Sequence, residues 1–227
     1  MDELSYLKKV PLFMEFKERD LEKLAKIGKV VCFASSERIF SEDTSGDNLY
    51  VVLSGRVKIF AQSGAKKKTL AYLEKGEFFG EMALLDLQPR SASSVAAEPC
   101  ELFVIKKKDF QKLLAEHPGI SLQIMKTLSR RLRQADKDIE ALAFGDVLGR
   151  IASTLLELSA KYGEVTKDGC TIQMPLNQRD IAEIAGTGRE MVSRTLNRFR
   201  RLKLVTYNDR YLMVVDAQKL KLFANKE

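Results

Sequence analysis

Phe79-Gly80-Glu81-Met82-Ala83-Leu84-Leu85-Asp86-Leu87-Gln88-Pro89-Arg90-Ser91 is the stretch around which the rest of the chain is organised. Gly80 lets the backbone turn tightly. Glu81 to Leu85 can then form a single helical turn whose first N–H groups lack partners and point at an anion. Met82 and Ala83 supply that backbone, and Arg90 and Ser91 return to it with a fork of donors and a hydroxyl. Glu81 is left over to grip a neighbouring hydroxyl. Taken alone, this is either a small phosphate pocket or a surface loop with incidental charges. The flanking sequence decides between them.

On both sides the apolar residues fall in short runs. Val30, Cys32, Ile39, Tyr50 to Leu53, Val57, Ile59, Leu70, Tyr72 and Leu73 are punctuated by Gly46, Gly55, Gly64 and Gly76. Short strands with glycine turns at that interval predict an antiparallel barrel or sandwich. Ser94 to Ala97 and Cys100 to Ile105, divided at Pro99, add two more strands. The Phe79–Ser91 stretch therefore sits between strands, where a fixed ligand loop belongs, and the pocket is favoured. Ahead of the barrel, Tyr6 to Phe16 reads as a helical turn broken at Pro11. Leu21, Leu24, Ala25 and Ile27 then repeat at helical spacing from near Glu18.

Lys107 to Ala115 reads as a helix, and Pro118 opens another that runs to about Ala143. Its apolar stripe, Leu128, Leu132, Ala135, Ile139 and Leu142, has spacings of 4, 3, 4 and 3, and Met125 and Leu122 extend it backward. A rod of about 37 Å with such a stripe predicts a two-stranded coiled coil and hence a homodimer. Packing of the stripe on the chain's own barrel is the alternative. Arg130, Arg131, Arg133, Gln134, Asp136 and Lys137 flank it and argue for a helix with little other cover.

Phe144-Gly145-Asp146 breaks the rod: Gly145 can end a helix left-handed and Asp146 can cap the next, which makes this the expected hinge. Val147 to about Tyr162 is a second helix and Thr171 to Met174 a strand. Asn177 caps a helix carrying Ile181, Ala182 and Ile184, and Gly186 turns the chain. Gly188 to Arg200 then follows with Met191, Val192, Leu196 and Phe199 inward. Leu204 to Tyr207, a turn at Asp209, and Tyr211 to Val215 make a closing hairpin. Two short helices joined through a glycine outline a helix-turn-helix, with the hairpin as its wing. The N-terminal residues of the second helix of such a motif meet base edges. Arginine pairs with guanine O6 and N7, and an acid accepts from cytosine N4. Arg189, Glu190 and Arg194, with Asn197 and Arg198 on the same outer face, suit that work. Thr187, Ser193, Arg201 and Lys203 suit phosphates.

At 227 residues and net charge +7, the chain accommodates two domains and permits a nucleic-acid partner. From Gly145 onward 14 basic residues face 10 acidic ones, against 24 and 21 before it. Cys32, Cys100 and Cys170 are odd in number and scattered, and His117 is the only histidine. That argues for a reducing compartment without disulfides or a zinc site. The opening Met1-Asp2-Glu3 lacks the basic character of a signal peptide, and no run approaches the roughly 18 apolar residues needed to span a bilayer. The expectation is a cytoplasmic protein with no membrane partner. No nucleophile–base pair or paired-carboxylate site suggests an enzyme.

In order and in motif, the chain resembles the bacterial cyclic-AMP receptor protein and fumarate-nitrate reductase regulator superfamily. Gly80-Glu81-Met82-Ala83-Leu84 with Arg90-Ser91 is similar to its cyclic-nucleotide cassette. Gly188-Arg189-Glu190-Met191-Val192-Ser193-Arg194 is similar to its recognition helix. The resemblance implies an α+β architecture: an antiparallel β-roll of eight strands (1–117), a dimerisation helix and hinge (118–144), and a winged helix-turn-helix (145–227). It implies that Glu81 holds a ribose 2′-hydroxyl and that Arg90 pairs with a cyclic phosphate, helped by Ser91 and the Gly80–Ala83 backbone. Arg131, Ala135 and Asp136 of the long helix complete the ligand set. Arg189, Glu190 and Arg194 would read a TGTGA-like half-site in palindromic double-stranded DNA, with RNA polymerase as a further partner.

The resemblance also separates subfamilies. No cysteine precedes Cys32, unlike the iron–sulfur oxygen sensors, and the only histidine, His117, lies outside the strands of the roll, unlike the carbon-monoxide-sensing haem relatives. One departure stands out: Ala135 and Asp136 occupy the positions where the cyclic-AMP receptor has Thr and Ser on the adenine. A carboxylate there suits guanine's N1–H and amino group as well as adenine's amino group. Cyclic AMP is expected first, with cyclic GMP, cyclic di-GMP or a ligand-independent regulator as alternatives. From another class, a ligand-binding module with a protein-binding C-terminus is the competing reading; little salt dependence of its partner binding would distinguish it.

Overall fold

The structure is a computed structural model that describes residues 6–208 and 211–224. It divides into two compact units, Met1–Leu132 and Arg133–Glu227.

In the first unit, a 3₁₀ turn at Pro11–Phe13 and helix α1 (Glu18–Ile27) precede the strands. The strands are β1 (Lys29–Phe33), β2 (Arg38–Phe40), β3 (Asn48–Ser54), β4 (Val57–Ser63), β5 (Lys66–Leu73), β6 (Phe78–Phe79), β7 (Ser93–Ala96) and β8 (Cys100–Lys106). They form two antiparallel four-stranded sheets, ordered β1-β8-β3-β6 and β2-β7-β4-β5. The single turn α2 (Met82–Leu85) lies between β6 and β7. This is the expected roll, and it closes with α3 (Lys107–Glu116) and the start of the long helix α4 (Pro118–Phe144).

β3 shows why its sequence reads as an unbroken apolar run. Leu49, Val51 and Leu53 face a core shared with Leu21, Leu24, Phe110, Ile120 and Ile124 of the helices. Tyr50 and Val52 face the opposite way, into the roll with Val57, Phe79, Ala96 and Leu102. Both faces are buried, so neither can be polar.

Helix α4 spans 27 residues, about 40 Å. Ile120 and Ile124 are buried, and Leu128 packs partly against the same core. Leu122, Met125, Leu132, Ile139 and Leu142 stay exposed, the least covered at 64%. Leu128 therefore departs from the expected dimer stripe. It continues the i, i+4 row of Ile120 and Ile124 onto the roll, whereas Leu122 and Met125 turn to another side of the helix.

The second unit opens with α5 (Val147–Tyr162), the hairpin β9 (Gly163–Thr166) and β10 (Gly169–Ile172), and α6 (Gln178–Ala185). Then come α7 (Arg189–Arg201), β11 (Val205–Asn208), β12 (Tyr211–Val214) and α8 (Ala217–Ala224). The four strands form one sheet in the order β11-β12-β10-β9. β9 is a strand that its exposed, weakly apolar residues gave no reason to expect. β10 ends at Ile172, short of Met174. The expected turn at Asp209 lies outside the described residues.

Candidate functional sites

In the roll, Glu81 occupies the N-terminal cap position of α2, and its carbonyl accepts from the N–H groups of Leu84 and Leu85. Gly80 has φ +81°, and a Cβ there would lie 2.6 Å from Nη1 of Arg90. Glycine is thus required twice, by the backbone and by the guanidinium beside it. Gly46 is confined by the same group, since its Cβ would lie 2.9 Å from Nε of Arg90 and 2.5 Å from Cβ of Ala83.

Arg90 is 3% exposed. Its Nη1 donates to the Gly80 carbonyl at 2.7 Å and its Nη2 to the Asn48 carbonyl at 2.8 Å. Its guanidinium lies 4.2 Å from the centroid of the Phe40 ring, and Phe40 also meets Tyr50 and Phe79. Burial lowers the Arg90 pKa from its ordinary value, while Tyr50, Asp47 and Glu81 oppose the shift. Nε is buried and has no hydrogen-bond partner. A charged donor left so costs on the order of 1–3 kcal/mol, and an anionic oxygen is the group that would satisfy it.

Glu81 is 2% exposed and is held by Arg131 of α4, whose Nη1 reaches Oε1 at 2.8 Å. Arg131 also donates to the Phe78 carbonyl and lies over the Phe78 ring. The fold thus brings Gly80, Glu81, Ala83, Arg90 and Arg131 together around two buried charges. Ser91 and Met82 are exposed, and the Ser91 hydroxyl lies 3.5 Å from the Met82 sulfur. Ala135 and Asp136 are exposed further along α4, in the second unit. Asn48, Phe40, Tyr50 and Gly46 are site residues that the sequence does not single out. Gly46-Asp47-Asn48, a turn signal directly before the most apolar strand, is the trace that could have found them.

Between α4 and α5, Asp146 caps α5 by accepting from the Gly149 N–H, as expected. Gly145 does not adopt the left-handed conformation anticipated for it. What demands glycine is the Ala141 carbonyl, 2.6 Å from where a Cβ would sit. Phe144 is 86% exposed. Arg150, which carries no signal in the sequence, donates to the carbonyls of Gly145 and Ala185 and so ties the α4–α5 junction to the end of α6.

The helix-turn-helix is locally specified. The Asn177 side chain accepts from the Arg179 and Asp180 N–H groups, and Asp180 returns a bond to the Asn177 N–H, which makes a capping box. Gly186 ends α6 at φ 64°, and Gly188 precedes α7. Val192, Thr195, Leu196 and Phe199 are buried. Met191, expected inward, is 41% exposed, because Thr195 takes the fourth buried position and Met191 falls on the shoulder beside it. Arg189, Glu190, Arg194, Asn197 and Arg198 are all exposed, with Thr187 and Ser193 half-buried. Arg198 also lies over the Phe223 ring of α8 at 5.8 Å, so it leans toward its own domain.

Among the described residues no group of His, Cys, Asp and Glu could hold a metal ion, and no helix is long and apolar enough to cross a membrane. Residues 30–117 match the cyclic nucleotide-binding domain family and residues 149–223 the Crp-like helix-turn-helix domain family. The chain is 34% identical over 192 residues to the cyclic AMP receptor protein of Thermus thermophilus, covering 84% of this chain and 86% of the relative. It is 28% identical over 221 residues to a CRP-like cAMP-activated global transcriptional regulator of Mycobacterium tuberculosis, covering 97% and 98%. Among solved structures, the c-di-GMP responsive global regulator CLP of Xanthomonas campestris matches with a TM-score of 0.78 at 25% identity, over 88% of this chain and all of that one.

The chain belongs to the superfamily of the cyclic-AMP receptor protein and the fumarate-nitrate reductase regulator. These are allosteric DNA-binding transcription regulators, not enzymes.

Proposed function

We propose that the protein is a homodimeric, cytoplasmic transcription regulator whose DNA binding is controlled by a cyclic nucleotide, cyclic AMP first. The observation that carries this reading is Arg90: a buried guanidinium with an unpartnered Nε, beside a buried carboxylate. A cyclic phosphate fits the first and a ribose hydroxyl the second. The relatives named for cyclic AMP support the choice of base.

The division of labour follows the chain: ligand in 1–117, pairing of two copies through 118–144, and DNA in 145–227. Met125, Leu132, Ala135, Ile139 and Leu142 supply the exposed stripe for the pairing. Arg189, Glu190 and Arg194 read TGTGA-like half-sites in successive major grooves about 34 Å apart. RNA polymerase is the further partner. Control runs through the bond between Glu81 and Arg131. A ribose hydroxyl that binds Glu81 acts on α4 through Arg131, and α4 continues to the hinge at Phe144, Gly145 and Asp146. The ligand thereby shifts the population between two helix arrangements.

Asp136 favours a second reading, in which guanine replaces adenine and the effector is cyclic GMP or cyclic di-GMP. The likeness to the c-di-GMP responsive regulator supports it. Calorimetry with cyclic AMP, cyclic GMP and cyclic di-GMP side by side, on wild type and Asp136→Ser, separates the readings. Tightest binding of cyclic AMP is the expected result. A preference for a guanine nucleotide that Asp136→Ser reverses establishes the second reading. No heat with any of the three overturns both.

A further inference from the structure

Among the described residues, four buried side-chain polar atoms have no hydrogen-bond partner: Oγ1 of Thr69, Nε of Arg90, Oγ of Ser94 and Oγ1 of Thr171. Two of them, on Arg90 and Ser94, stand four residues apart in one stretch. Arg90 belongs to the site described above. Ser94 is 0% exposed within β7.

The ladder shows which way Ser94 faces. It lies opposite Ile59 of β4 and Phe40 of β2, and Ala96 lies opposite Val57. Ser94 and Ala96 are two residues apart and so share a face of the sheet. Ala96 and Val57 belong to the core inside the roll, and Phe40 and Ile59 pack against it. The Ser94 hydroxyl therefore points inward among Phe40, Ile59, Val57 and Ala96, whose side chains neither donate nor accept. Ser93, on the other face, is provided for: its hydroxyl accepts from the Glu42 N–H at 3.0 Å. A buried hydroxyl without a partner destabilises the fold, and alanine would fill the same place without that cost.

Phe40 links the two unpartnered groups. It stands directly across from Ser94, and its ring centroid lies 4.2 Å from the Arg90 guanidinium. The same ring meets Tyr50 at 5.7 Å and Phe79 at 5.8 Å. Phe40 is half-buried, as are Ile59 and Ala71, which pair across the ladder beside it. An anion held by Arg90 brings whatever it carries against this aromatic and aliphatic wall. Such a wall suits a flat heterocycle, and a ring nitrogen with a free lone pair is a group to which the Ser94 hydroxyl can donate.

We propose that Ser94 is a specificity-determining residue of the roll, its hydroxyl donating to a ring nitrogen of the effector's purine base. The proposal rests on the cyclic-nucleotide reading of Arg90 and Glu81. It adds to their phosphate and ribose contacts one that reads the base from within the roll.

The test is calorimetry and thermal melting of the full-length protein as wild type, Ser94→Ala and Ser94→Thr. The probes are cyclic AMP, cyclic GMP and methyl riboside 3′,5′-cyclic phosphate, which keeps the ribose and the cyclic phosphate but has no base. Ser94→Ala should weaken the tighter of the two nucleotides by about 10-fold and leave the base-free probe unchanged. Its ligand-free melting temperature should hold or rise, because an unpaired hydroxyl is gone. Ser94→Thr keeps the hydroxyl and should recover most of the nucleotide affinity. Unchanged nucleotide affinity in Ser94→Ala overturns the assignment, as does an equal loss on the base-free probe. Wild-type protein that binds neither nucleotide overturns the cyclic-nucleotide reading itself, which is a separate outcome.

Discussion

In the roll, Glu81 and Arg90 are 2% and 3% exposed and already have protein partners. On α7, Arg189, Glu190 and Arg194 stand in solvent. The contrast is set by dielectric. A charge taken out of water needs a partner at all times, so the roll supplies its own from Arg131, Gly80 and Asn48. A ligand must exchange for, or add to, those bonds. One that lacks the matching hydroxyl or phosphate leaves buried groups unpaired, which is a strong basis for discrimination. The helix face has no such constraint. Its charges keep their water, and on the DNA reading proposed above its affinity falls with salt and its specificity comes from geometry at a few base edges.

The contrast can be broken at several points. Arg90→Ala strikes hardest, because it removes a buried charged donor. Cyclic-nucleotide affinity should fall by roughly 100-fold or more in calorimetry while the dimer persists in gel filtration. Unchanged affinity would sink the pocket assignment. Arg189→Ala should lose about 1–3 kcal/mol of discrimination between a TGTGA-type and a scrambled duplex, with a smaller loss of general affinity. An equal loss on both would count against base reading.

Asn177→Ala removes one side of the capping box and should cost about 1 kcal/mol of stability. Urea unfolding should show the loss in the second unit, since the bonds of the cap lie within it. The smallest effect is on pH dependence. Burial raises the Cys100 thiol to about 11 from 9.0. A raised pKa means that the folded state favours the neutral thiol. Its contribution is therefore complete below pH 9 and is lost as pH climbs toward 11. Cys100→Ala should flatten that alkaline limb in urea midpoints measured from pH 8 to 11, whereas Cys32→Ala, at an exposed position, should not.

Much of the fold is legible because its signals are local. The two-sided burial of β3 shows as a continuous apolar run, the long helix as a repeat of 4 and 3, and α6 as an asparagine followed by Asp180 three residues on. Pattern fails where packing overrides it. Met191 yields its inward place to Thr195, Leu128 turns to the roll, and β9 forms because β10 offers it a ladder from Gly169 to Ile172. Residue type alone suggests a left-handed helix end at Gly145, yet its need for glycine comes from one carbonyl above it.

The site divides in the same way. Sequence alone determined which chemistry is present: a glycine turn, an acid, an arginine with a serine, and a helix face of Arg189, Glu190 and Arg194. Such features depend on neighbours within a few residues. Only the tertiary structure decided what each charge meets. Arg131 reaches Glu81 across 50 positions and Arg90 reaches Asn48 across 42. Those distances close through strand pairing and the docking of α4, which no local pattern encodes.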